Sequence, residues 1–149
     1  MAHVQQQILD AVKTLLAAAA TAATSKVFLD RVDALERGDL PAIVIEESPD
    51  GETAEPYLIS GVEQRVLLVD VAGAVKGGAS APAAARALGL EIEKAMATSA
   101  ALAALAKGGV RIIASRQINT GDGEEVITAR QQRWAFTYFV RPEAPDVVV

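Results

Sequence analysis

Few side chains of this 149-residue chain could do chemistry, and they do not gather. The single histidine is His3, beside the N-terminus. A catalytic imidazole needs a third group to orient it, and the residues around His3 supply none. The absence of cysteine removes thiolate catalysis, a disulfide framework and cysteine-held zinc. Ser25, Ser48, Ser60, Ser80, Ser99 and Ser115 sit in no nucleophile elbow. Neither the phosphate-binding loop nor the dinucleotide fingerprint is present, and Gly77-Gly78 reads as a plain connection into a helix. A metal site would have to be built from carboxylates. Asp122 with Glu124 and Glu125 is the nearest candidate, but Gly121-Asp122-Gly123 is what a tight turn demands. The reading is therefore a protein without cofactor or metal that is not an enzyme.

The carboxylates are the one uneven feature. Glu46, Glu47, Asp50, Glu52, Glu55 and Glu63 face only Arg65 within residues 46–65. General acid–base work would need two of them at a fixed separation in a cleft, and Pro49-Asp50-Gly51 reads instead as loop chemistry. Two readings of the acidic run stay open: a solvated loop, and a negatively charged docking surface. Asp70, between Val69 and Val71, is either at an exposed edge or paired with an arginine.

Composition sets the frame. The length suits one domain, 1–149, large enough to bury its own core. No stretch is long and apolar enough to span a membrane, and no signal segment is visible. The formal charge is −5, from 19 acidic and 14 basic residues, and the basic ones are scattered singly. A nucleic-acid binder carries a basic stripe, so DNA near this protein would pass by rather than be gripped.

The elements that must position these residues follow from periodicity. Val4, Ile8, Ala11, Val12, Leu15 and Ala19 recur at helical spacing over residues 3–22. Val27–Leu29 is a short strand, and Pro41–Glu47 a buried one. Ser48–Pro56 is predicted as a loop, followed by a long strand over about 58–75. Ser80 and Pro82 open a second helix holding Leu88, Ile92 and Met96, and a short helical piece with Leu102 and Leu105 follows. Strands over 110–118 and about 124–140 flank a hairpin turn at Thr120–Gly123. Pro142 and Pro145 are predicted to end regular structure and leave a flexible tail from about residue 141. Strands clustered as hairpins favour an α+β fold: a mixed, mainly antiparallel sheet of four to five strands with two main helices on one face.

Arg31-Val32, Leu35 and the run Asp39-Leu40-Pro41-Ala42-Ile43-Val44-Ile45-Glu46-Glu47 carry a resemblance, with the aromatic strand Arg133-Trp134-Ala135-Phe136-Thr137-Tyr138 supporting it. Over roughly residues 4–140 the chain resembles the tail terminator (minor tail protein U-like, tail completion) proteins of long-tailed phages. The resemblance implies a structural virion protein. It would assemble in the host cytoplasm as a hexameric ring, cap the major tail tube protein, stop tube growth and offer a surface to the head-completion or connector protein. DNA would pass through the lumen without specific binding. The family carries no catalytic residues, so only regions transfer. Glu46, Glu47, Asp50, Glu52 and Glu55 fall in its variable loop, and Asn119, Gly121 and Asp122 on its late hairpin tip; both are implied interfaces. Another head–tail connector protein fits the same pattern. A small-ligand-binding regulatory domain is the reading from a different class, with Arg65 and Asp70 as its only candidate pocket polars.

Overall fold

The computed structural model describes residues 1–121 and 126–149. Helix α1 (Val4–Ala18) is opened by His3, whose Nδ1 accepts from the Gln5 backbone N–H at 3.1 Å. It buries Val4, Ile8, Leu9, Val12 and Leu16. Strand β1 (Val27–Leu29) pairs parallel with the start of β2 (Ala42–Pro56), Val27 opposite Ile43. Strand β3 (Glu63–Lys76) runs antiparallel to β2 and to β5 (Ile127–Arg141). Helices α2 (Ala81–Ala97) and α3 (Ala100–Leu105) follow β3. Strand β4 (Gly109–Thr120) pairs antiparallel with β5 and closes the order β1-β2-β3-β5-β4. The fold is α+β with a mixed, mainly antiparallel sheet, as expected.

Two departures from expectation concern strands. Ser48–Pro56 is not a loop: β2 continues through it and pairs with β3 down to Pro56 opposite Glu63. The turn chemistry of Pro49-Asp50-Gly51 makes a bulge instead. Ser48–Gly51 stand opposite the single residue Leu68, and Gly51 takes the positive φ of +65° that only glycine adopts cheaply. The hairpin turn moves to Tyr57–Val62, closed by Tyr57 N–H donating to the Val62 carbonyl at 2.9 Å. The chain beyond Arg141 is also ordered into structure. Ala144–Val148 forms β6 against the end of β5, beside the five strands of the main path. Pro145 fits there because an edge strand needs no N–H on its outer side. Gln7 Nε2 donates to the Asp146 carbonyl at 2.8 Å, which ties β6 to α1.

The core lies between the helices and one face of the sheet. Leu67, Val69 and Val71 of β3 and Trp134, Phe136 and Tyr138 of β5 meet Leu88, Ile92 and Met96 of α2, with Leu102 of α3 and the apolar stripe of α1 beside them. Gly73 lets α2 approach, since a Cβ there would lie 2.8 Å from Leu88 Cγ. Buried Gln132 latches the helix to the sheet: its Nε2 donates to the Gly89 carbonyl at 2.9 Å, and its Oε1 accepts from Trp134 Nε1 at 3.0 Å. On the other face a smaller cluster of Leu40, Ala42 and Ala74 is capped by Phe28, Leu35, Ile127 and Ala129. Arg31 holds that cap down, lying 4.4 Å over the Phe28 ring and 3.0 Å from Asp39. The motif residues Arg31 and Asp39 are thus a packing device.

Gly73→Ala is expected to cost about 1–3 kcal/mol, because the added methyl must displace Leu88 in a filled core. A lower urea midpoint with an unchanged denaturant slope would show it.

Candidate functional site

The alternation of the strand divides the acidic run between two faces. Glu46 pairs in register with Asp70 on the face away from the helices and is exposed. Glu47, opposite Val69, is exposed as well. Asp50 projects from the bulge to Arg133. Glu55 is exposed and accepts from Gln64 Nε2 at 3.1 Å. Glu52 does not belong with them. Its Oε2 accepts from Tyr138 Oη at 2.6 Å, its Oε1 accepts from Gln5 Nε2 at 2.9 Å, and Arg65 Nη1 stands 3.7 Å away. Arg65 is shared, donating also to Glu63 at 2.9 Å. A docking role for Glu52 would have to break this inward cluster first.

The second cluster answers the question Asp70 raised in the sequence. Arg133 grips Asp70 in a fork, Nε to Oδ1 at 2.9 Å and Nη2 to Oδ2 at 3.3 Å. The Asp70 side chain is only 3% exposed, and a carboxylate that deep needs such a partner. The hydrogen bond to Asp70 raises the Arg133 guanidinium above its ordinary value. Burial lowers that of Arg65, but the hydrogen bond to Glu63 and the neighbouring Tyr138 and Glu52 outweigh it and leave it raised. Burial pushes the Tyr138 phenol up, the hydrogen bond to Glu52 adds to this, and Arg65 opposes it.

Each cluster is held together by its own ion pairs. Arg65 and Asp70, the two candidate pocket polars, spend their hydrogen bonds on protein groups. His3 sits at the α1 cap, with Nε2 3.3 Å from Arg65 Nη1. A surface depression lined by Arg86, Glu93, Ser115 and Arg130 already has the Ser115 hydroxyl bound by Arg130 Nε at 2.8 Å.

The late hairpin does not join the acidic residues. Asn119 lies opposite Thr128, which pairs with Val75, at the end of the sheet where β2 begins. Its Oδ1 accepts from Thr128 Oγ1 at 3.0 Å. Gly121 follows with φ +88°, and Asp122 lies outside the described residues. The sequence reading also missed an apolar element. At the β2–β3 turn Leu58 is 94% and Ile59 60% exposed, with Tyr57 packed against Phe139, the ring centroids 4.6 Å apart and the planes tilted by 50°. Pro56 and Gly61 bracket this turn and were the available signal.

Tyr138 gives the cluster a pH signature. Its folded value is raised, so the folded state keeps the proton after the unfolded chain has lost it. Stability is therefore full below about pH 10 and falls above it by about 1.4 kcal/mol per pH unit from this group. Tyr138→Phe is expected to remove that component, read as a shallower alkaline decline of the urea midpoint than in the natural protein.

No family model matches the chain, and no curated protein matches it. Among solved structures, a chain of the "Virion of native gene transfer agent (GTA) particle" is similar, at 16% identity and a TM-score of 0.38, with 91% of each chain covered.

Proposed function

We propose that the chain is a structural virion protein of the tail terminator type. Sister copies form a ring, the ring caps the tail tube and stops its polymerisation, and its far side receives the head-completion or connector protein. The observation that carries this reading is the aliphatic turn. Leu58 and Ile59 are held out in solvent at the end of the paired β2–β3 hairpin. An aliphatic pair gains by burial, about 1.5–3 kcal/mol for each side chain, and among the described residues no element covers it. The uncovered part of the sheet supports the same conclusion. Val44, Val66, Leu68 and Ala72 are half-buried on the face that carries no helix. Such surface fits a partner chain, and a stable contact would bury about 1,200–2,000 Å² in total.

The remaining features accord with it. The residues that resemble the tail terminators, from Arg31 to Glu47, build the cap and the first long strand. The net charge of −5 suits the wall of a DNA channel, because it repels phosphate. Glu46, Glu47, Asp50 and Glu55 are the outward acids available to an interface, whereas Asn119 and Gly121 would serve a separate one at the opposite end of the sheet.

Negative-stain microscopy of the protein alone and with its tube protein tests the reading. Rings, free or seated on tube ends, and shorter tubes when the protein is added to polymerising subunits are expected. Leu58→Asp with Ile59→Asp should leave folding intact and weaken docking at least tenfold. A protein that stays monomeric and leaves tube length unchanged would overturn the proposal.

A further inference from the structure

The sheet has two open edges of opposite charge, and we infer that they join head to tail between copies. This rests on the ring reading and assigns its intersubunit contact. Strand β1 covers β2 only from Ile43 to Ile45. From Glu46 to Pro56 the outer side of β2 has no strand partner among the described residues. At the other side of the sheet β4, 12 residues long, pairs among the described residues only inward, with β5. Exposed edges of this length present rows of unpaired N–H and C=O groups that accept another strand.

Charge says which strand each edge accepts. The open part of β2 carries Glu46, Glu47, Asp50, Glu52 and Glu55 and no basic residue. Strand β4 carries Arg111 and Arg116 and no acidic residue. Among the described residues, neither arginine lies within ion-pair distance of a carboxylate; Arg116 Nε donates only to Gln131 Oε1 at 3.1 Å. Glu46 and Glu55 likewise meet no cation. Two copies of the same edge would therefore repel, while opposite edges attract.

Geometry agrees with charge. Arg111 and Arg116 lie opposite Ala135 and Gln131, which pair with Leu68 and Ala72. Glu46 and Glu55 lie opposite Asp70 and Gln64. All four side chains thus belong to the face away from the helices, and cross-strand partners must share a face. Between the edges the order is β2, β3, β5, β4, antiparallel at every step, so β2 and β4 run in opposite directions. A copy rotated about an axis along the strands then offers its β2 antiparallel to β4, which repeats the ladder already used. A stagger of about two residues, of the kind curved sheets need, sets Arg116 opposite Glu46 and Arg111 diagonal to Glu55. Because the two surfaces differ, the contact repeats head to tail and closes by rotation.

The competing explanation is that arginines and the bulge between Ile112 and Ala114 merely discourage stray pairing at β4. A mixing experiment separates the two. Arg111→Glu with Arg116→Glu makes both edges acidic; Glu46→Arg with Glu55→Arg sets arginine against arginine at the facing positions of the outer face, with Glu47, Asp50 and Glu52 left in place. Each variant alone is expected to need at least tenfold more protein to associate in light scattering, with an unchanged melting temperature. An equimolar mixture is expected to recover association at the natural concentration, because each variant then complements the other. Variants that assemble like the natural protein, or a mixture no better than its parts, would overturn the edge assignment while leaving a ring in place. A natural protein that forms no ring, alone or on tube ends, would overturn both readings.

Discussion

The ladder between β3 and β5 is the contact on which the other elements depend. Its register sets Val69 opposite Trp134 and Leu67 opposite Phe136, and the rows so formed are the floor on which α2 lies. Gly73 clears space in that floor for Leu88 and Ile92, and Gln132 fastens it to the Gly89 carbonyl. Side chains alternate along a strand. The register that buries Val69 on Trp134 on one face must therefore place Asp70 against Arg133 on the other. A slip by one residue would expose the core row and strand Asp70 in apolar surroundings, so packing and ion pairing enforce the same alignment.

Much of this architecture was legible because it depends on short-range pattern. The helical spacing of Val4, Ile8 and Val12, the Ser80-Ala81-Pro82 start of α2, and the alternation of Trp134, Phe136 and Tyr138 all gave their elements. Asp70 was readable as either an edge residue or an arginine partner, and the register decides for Arg133. What escaped depends on distant chain. Ser48-Pro49-Asp50-Gly51 has the composition of a turn, and only its pairing with β3 on both sides makes it a bulge. The residues around Pro142 and Pro145 have the composition of a tail, yet the end of β5 and Gln7 of α1 hold them as a strand. Tyr57–Ile59 matches a strand in residue type, but the bulge shifts the hairpin so that these residues fall at its turn.

In the proposed ring the aliphatic turn and the charged edges have different duties. Burying Leu58 and Ile59 supplies affinity, since the few apolar anchors that leave water completely dominate an interface. Partly exposed charge pairs contribute little net energy, but they steer encounter and penalise wrong partners. An edge that rejects its own kind and accepts its opposite gives a chain one direction of growth, and rotation closes it.

The bulge in β2 decides which acids take part. In a plain strand Glu52, six residues from Glu46, would share its face and point away from the helices. Standing Ser48–Gly51 opposite Leu68 alone reverses the alternation, so Glu52 falls opposite Leu67 and turns inward to Tyr138. Glu55, three residues further, returns to the face of Glu46. A single irregularity thus takes one carboxylate out of a run of five and spends it on the core, while Glu46 and Glu55 are left outward on one face of an unpaired edge. Removing the bulge would reverse the trade: Glu52 would join the outer face, and Tyr138 and Arg65 would lose the carboxylate between them.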